Sequence, residues 1–310
     1  MTVIRKNIIT DTVARDKYVR GVLLLKKEQQ TSSSLSTYDA FVVWHARAMM
    51  KMTPLSQSSR NAAHRGPSFL PWHRFFLIVL EQQIQRVLND ASFGLPYWAW
   101  NVDGDKAAGL QVNQPIWAAN CMGGTGLPVT SGPFANPTAQ STKFLVNVEQ
   151  SLTGSLVKVK HGLRRQLANL VTNLPSSHNV KSAIAMPDYD EIDWNVASTA
   201  TFRNVVEGWS VSPAGNHNRV HVWVGGDMLP GTSPNDPVFF LNHCNVDRIW
   251  AAWQQKHGTT NYVPPQTAPA SLNGHRPDDK LFSVYPNPPK VKDMFGVAQV
   301  YAYDSLSDLT

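Results

Sequence analysis

The chain has 310 residues, 42% of them hydrophobic and 10% aromatic, with a net charge of +6. That apolar share is ample for a core. The basic residues are scattered, with only short pairs such as Lys26-Lys27 and Arg164-Arg165, which describes a mildly basic surface and argues against a nucleic-acid partner.

The opening stretch MTVIRKNIIT has charges, no apolar segment of signal-peptide length and no small-residue cleavage site. With no apolar run of membrane-span length in the motif region, the expectation is a soluble, cytoplasmic chain with no membrane partner, export with a partner protein left open. Residues 11–30 follow as an amphipathic helix with an Asp/Thr start. Residues 34–52 read likewise and end at Thr53-Pro54. After a polar loop, residues 69–90 form a long helix with Pro71 in its first turn. Residues 93–105 read as a turn and an aromatic extended piece. Residues 106–195 read as long loops with a few short elements, one of them a helix near 157–172. A short helix is expected over 198–209. Residues 233–258 carry Asp236 as N-cap, Pro237 at the first helical position and Gly258 after the end. The Pro-rich tail ends in strand-like alternation at Val297, Val300, Tyr301 and Tyr303. The fold class is mainly α, one domain over 1–310 with long loops and minor β.

Within GNHNRVHVW, His217 and His221 fall one turn apart on a helical face, a spacing that lets two imidazoles grip one metal ion. The zinc-protease pattern would place its general base directly after the first histidine, where Asn218 stands here. Ten histidines occur in all. His45 and His73 lie on predicted helices with His64 in the loop between them, and His243 lies on the last long helix. This makes two triplets, His45, His64, His73 and His217, His221, His243. Neutral imidazole triplets with few carboxylates suit copper, or zinc with an open position. Two of them facing each other in a helix bundle would form a binuclear centre. None of His45, His73 or His243 has the preceding Glu that a di-iron site needs. His161, His178, His257 and His275 stand among polar residues and are expected on the surface. Cys121 and Cys244 need no disulfide, and a reducing compartment is the simpler reading.

The segments WHARA, NAAHRGPSFLPWHRFFL, FRNVVEGW, HNRVHVWVGGDM and NDPVFFLNHCNVDRIW together resemble the bacterial tyrosinases of the type-3 copper family, from Arg5-Lys6-Asn7 to Tyr301-Ala302-Tyr303. The resemblance implies a central four-helix bundle with one copper held by His45, His64 and His73 and a second by His217, His221 and His243. It implies O2 as co-substrate, hydroxylation of monophenols to o-diphenols and oxidation of these to o-quinones, with pigment as a product class. It also gives Glu207 and Asn218 a role, holding a water that takes the phenol proton. Read alone, Asn218 is equally a helix-start cap and Glu207 a solvent-facing residue. Asp247, one turn after His243, is expected to pair with Arg219 or Arg248.

Two departures stand out. Where the family reads FFLHH, this chain reads FFLNH, with Asn242 in place of a histidine; Cys244 follows, as a small apolar filler or an oxidisable thiol. Neither cysteine is placed to form a thioether to His64. The chain stops shortly after Tyr303, so no C-terminal plug domain is expected, and a partner such as a copper chaperone or caddie protein would have to cover the site. Substrates are expected to be small phenols or o-aminophenols. An o-aminophenol or catechol oxidase with little monophenol activity is the alternative that Asn242 keeps open. A haemocyanin-like O2 carrier and a metal-free structural protein are alternatives from other classes.

Overall fold

The computed structural model describes residues 2–30, 34–53, 60–136, 144–191, 198–296 and 298–310. Its described helices in chain order are α1 (Thr12–Lys27), α2 (Thr37–Met50), α3 (Phe69–Leu88), α4 (Trp100–Gly104), α5 (Ala108–Gln111), α6 (Ser177–Ile184), α7 (Phe202–Glu207), α8 (Asn216–Val224) and α9 (Val238–His257). The strands are β1 (Val3–Arg5), β2 (Leu145–Gln150), β3 (Leu156–Gly162) and β4 (Tyr301–Tyr303). No helix among the described residues is long and apolar enough to cross a membrane.

Local chemistry sets the helix ends. Asp11 accepts from the Ala14 amide at 2.7 Å to start α1, and Ser36 accepts from the Asp39 amide at 3.0 Å to start α2. Asn89, in the left-handed region at φ 51°, closes α3. Helix α9 starts one residue later than expected, but Asp236 still accepts from the Val238 amide at 2.9 Å, while its carboxylate is clamped by Arg165 Nε at 2.6 Å and Nη2 at 2.7 Å.

Helices α2, α3, α8 and α9 carry the five helical histidines of the two triplets and surround them as the expected bundle. Helix α1 backs this bundle, packed on α2 and α3. It can approach because Gly21 faces Ile84, where a Cβ would lie 2.5 Å from Ile84 Cγ2. Aromatic rings fill the bundle: Trp72 stacks on Phe76 at 5.0 Å, and Phe76 meets Trp44 at 5.0 Å and Phe240 at 5.7 Å. Most of the buried apolar residues described form one continuous cluster.

Strands β1 and β4 pair in parallel, Val3 beside Tyr301 and Arg5 beside Tyr303. This pairing delivers Arg5 and two tyrosines to a buried ionic core. Asp247 accepts from Arg74 Nε and the hydroxyls of Tyr301 and Tyr303, each at 2.5 Å, and from Arg5 Nη1 at 3.1 Å. Arg5 Nε also donates to Glu81 at 2.9 Å. Asp247 therefore does not pair with Arg219 or Arg248: Arg248 holds Asp308, and Arg219 donates to Asn173 and Ala214.

Four further expectations are corrected. The segment expected as a helix near 157–172 is β3, paired antiparallel with β2, followed by loop, because Leu156, Val157, Lys158, Val159 and Lys160 alternate at the strand period. Trp100–Gly104 is helical rather than extended. In the tail only Tyr301–Tyr303 is strand; Val297 lies outside the described residues, as does Pro54 after α2. Of the four histidines expected on the surface only His178 is exposed; His161 and His257 are partly buried and His275 is fully buried.

Candidate metal centre

The two triplets are built from different local devices. In the first, α2 supplies His45, the start of α3 supplies His73, and the loop between them supplies His64. Their rings lie 4.9 to 5.8 Å apart, with His64 to His73 at 4.9 Å and His45 to His73 at 5.8 Å. In the second, His217 and His221 project from one face of α8 toward His243 on α9. His243 Nε2 lies 3.0 Å from His217 Nε2 and 3.4 Å from His221 Nε2. The ligand atoms of each triplet all fall within 4.8 Å of one another. The triplets abut: His73 stacks on His243 with ring centroids 4.2 Å apart.

Four of the six rings are oriented by main-chain carbonyls. Nδ1 of His45 meets Gly231 O at 2.7 Å, that of His73 meets Phe69 O at 2.8 Å, that of His217 meets Glu207 O at 3.2 Å and that of His221 meets Met228 O at 2.7 Å. A carbonyl can only accept, so each Nδ1 carries the proton and each Nε2 presents a lone pair. The contact from Glu207 to His217 depends on Gly208, at φ 97°: a Cβ there would sit 2.0 Å from Gly215 O, and Gly215 N–H closes the turn onto Gly208 O at 3.0 Å.

This arrangement fits metal ions. Nε2 of His45 and His73, the nitrogens that present lone pairs, are buried without a hydrogen-bond partner. The Nε2 lone pairs of His217 and His221 converge on His243 Nε2 at separations close to those of nitrogens sharing one cation with bonds of about 2 Å. The rings are also ready as neutral donors. Burial pushes His45 down to about 3 and His221 to about 4. Burial first, then the neighbouring imidazoles, hold His64, His73, His217 and His243 well below the ordinary histidine value.

An open cavity of about 180 Å³ reaches the centre, lined by His64, His217, His221, Asn218, Val222 and Trp209 among others. Asn218 is in the first turn of α8 but is not its cap, since that position is Gly215. Its Nδ2 is buried without a partner. Glu207 is fully buried rather than solvent-facing. Its Oε1 accepts from the Arg65 amide at 2.6 Å and Trp209 Nε1 at 2.9 Å, and its Oε2 from Arg203 Nη1 at 2.8 Å. Burial raises its pKa, against the pull of Arg203 and the other donors. No direct hydrogen bond joins Glu207 to Asn218.

Cys244 points away from the triplets, its Sγ against Leu95 O at 3.3 Å and the Tyr303 hydroxyl at 3.8 Å. It is the small buried filler, and both cysteines are free. Neither atom of the Asn242 amide has a partner. The carbonyls of Gly231, Phe69 and Met228 were not foreseen as ring-orienting groups, and nothing in a side-chain pattern marks a main-chain acceptor. A separate group, Glu149, His161 and Asp227, ties β2 and β3 to the turn after α8; His161 Nε2 lies 2.7 Å from Glu149 Oε1.

The comparisons with known proteins agree with this geometry. Residues 35–256 match the common central domain of tyrosinase. The tyrosinase of Streptomyces glaucescens is 40% identical over 271 residues, covering 86% of this chain and 88% of the relative. Among solved structures, a polyphenol oxidase from Thermothelomyces thermophila superposes with a TM-score of 0.74 at 22% identity, covering 97% of this chain and 88% of that one. A functional unit of octopus hemocyanin superposes with a TM-score of 0.59 at 18% identity, covering 98% of this chain and 68% of that one. The fold is therefore shared with a polyphenol oxidase and a hemocyanin unit, while the family-model match and the 40% identity to a tyrosinase make the chain a member of the tyrosinase family.

Proposed function

We propose that this chain is a binuclear copper monooxygenase that hydroxylates small monophenols to o-diphenols and oxidises these to o-quinones. His45, His64 and His73 would hold one copper, and His217, His221 and His243 the other. The bound pair supplies the activation of O2, the co-substrate. The observation that carries this reading is the abutment of two neutral imidazole triplets, His73 on His243 at 4.2 Å, with buried ring nitrogens that lack any other partner.

The protein's own part is positioning and proton handling. The cavity presents Trp209 and Val222 as apolar walls for an aromatic ring, in the same lining as His45, His64, His217 and His221. A phenol titrates near 10, so at neutral pH its proton must be accepted as it binds. Asn218 has an unused buried amide in the cavity wall, beside the segment that carries Glu207. We assign to this pair the holding of a water that takes the phenol proton. Arg203, Arg65 and Trp209 keep the Glu207 carboxylate fixed while this occurs.

The 40% identity to a tyrosinase favours monophenol hydroxylation over an oxidase acting only on o-aminophenols or catechols. A panel of tyrosine, tyramine, catechol and o-aminophenol with copper-loaded protein tests this. Turnover of tyrosine or tyramine is expected; oxidation of catechol or o-aminophenol with neither monophenol turned over would overturn the monooxygenase assignment, and no quinone or quinone imine from any of the four would overturn the enzyme.

A further inference from the structure

The loop 60–68 that carries His64 is secured by a residue from the far end of the chain. His275 is 0% exposed and lies between the two sides of this loop. Its Nε2 is 2.7 Å from Thr53 Oγ1, and its Nδ1 is 2.7 Å from Ser68 Oγ and 3.3 Å from the Ser68 amide. An amide can only donate, so Nδ1 is the acceptor and Nε2–H donates to Thr53. The ring also fills the space above Gly66, where a Cβ would lie 2.8 Å from His275 Cε1. Thr53 in turn pairs with Arg60, amide to carbonyl at 3.2 Å and Arg60 Nε to Thr53 O at 2.9 Å. His275 is itself held by the Tyr262 hydroxyl, which donates to its carbonyl at 2.8 Å. One imidazole thus touches the residues on both flanks of His64.

His64 needs such support more than its two companions. Nδ1 of His45 and His73 is steered by a carbonyl, whereas Nδ1 of His64 is buried with no partner. Its placement falls to the loop backbone, through Asn61, whose Oδ1 accepts from the His64 amide at 2.8 Å, and through the Ser68 anchor at the start of α3. We propose that His275 is a positioning residue for the first copper: by bridging Thr53 and Ser68 across Gly66 it fixes the His64 loop and sets the retention of the metal there. This inference rests on reading His45, His64 and His73 as copper ligands.

The test compares the full-length parent with His275→Leu, which keeps an apolar filler but breaks the bridge, and His275→Gln, whose amide can accept from Ser68 and donate to Thr53. The readouts are copper per chain, the electron paramagnetic resonance of the oxidised protein, and the melting temperature of the copper-free protein. The parent is expected to hold two coppers whose coupled spins give no signal. His275→Leu should hold about one, with an isolated Cu(II) signal and a copper-free melting temperature close to the parent's, and His275→Gln should recover the second copper. Two coupled coppers in His275→Leu would overturn the inference. So would loss of both coppers with a fall in the copper-free melting temperature, which makes His275 a plain structural residue. If His275→Leu fails to fold, Thr53→Val removes one of the two bonds; about tenfold faster release of one copper to a chelator supports the inference, and an unchanged rate overturns it. A parent that takes up fewer than two coppers overturns the ligand assignment instead.

Discussion

At the scale of single residues, the site divides into the histidines proposed to hold the metals and the groups that aim them. Asn218 is predicted to belong to the substrate's proton path: Asn218→Ala should lower kcat/KM for tyramine by about tenfold to a hundredfold and for catechol by less than about threefold, below the full effect of a general base because Asn218 acts through a water. Equal losses on both substrates would remove that role. The cysteines give a second test. Burial pushes Cys244 up to about 12 and Cys121 to about 11, so neither is a thiolate at pH 8. Iodoacetamide is expected to label neither in the native protein and both after denaturation; rapid native labelling of Cys244 would contradict its packing against Leu95 and Tyr303. The gathering of the six histidines into two triplets was legible because most of them recur beside Trp, Phe and Pro on predicted helices. His275 was misread because Gly274, Arg276 and Asp278 around it look solvated, while its own surroundings come from Thr53, Gly66 and Ser68, remote in sequence.

At the scale of elements, α3 and α9 are joined by charge as well as by rings. Arg74 of α3 donates to Asp247 of α9 and stacks over Trp250 at 3.6 Å. Arg74→Met leaves the buried Asp247 carboxylate short of a partner and should cost about 3–5 kcal/mol, a fall of about 10 °C in Tm. A fall below about 2 °C would show that Arg5 and the two tyrosines suffice. Asp227, at the turn after α8, tests the opposite case. Burial raises its pKa from 3.8 to about 6, so the folded protein binds a proton more tightly than the unfolded chain. Its contribution is therefore favourable at low pH and is lost as pH rises through about 6. Asp227→Asn should raise Tm more at pH 8 than at pH 4.5, by about 1–3 °C, as read from thermal melts at the two values. Helices with Asp11 and Pro71 in their opening turns could be read directly from sequence. The β2–β3 hairpin was missed because its alternation, with two lysines facing out, sits in a stretch rich in loop residues. The partners of Asp247 were missed because a search one turn along the helix cannot find Arg5, whose position is set by the pairing of β1 with β4.

At the scale of the whole molecule, the histidines gather at the junction of α2, α3, α8 and α9, so the proposed copper binding there would be coupled to the stability of all four. Removal of copper by a chelator should lower Tm, and restored copper should raise it again; at about a thousandfold excess over Kd each site is worth about 4 kcal/mol. An unchanged Tm would mean that the bundle is indifferent to its metals. The family fold was legible because its motifs run in order along nearly the whole chain, whereas the β1–β4 closure could not be, since three-residue strands carry too little pattern.

That closure has a practical consequence. Val3 and Tyr301 are direct neighbours, so strands from the two extremes of the sequence hold each other in place. Trimming the first five residues would strip Asp247 of Arg5 and leave Tyr301 and Tyr303 without the strand that holds them, so the damage would appear at α9, in the middle of the protein, and not at its edge.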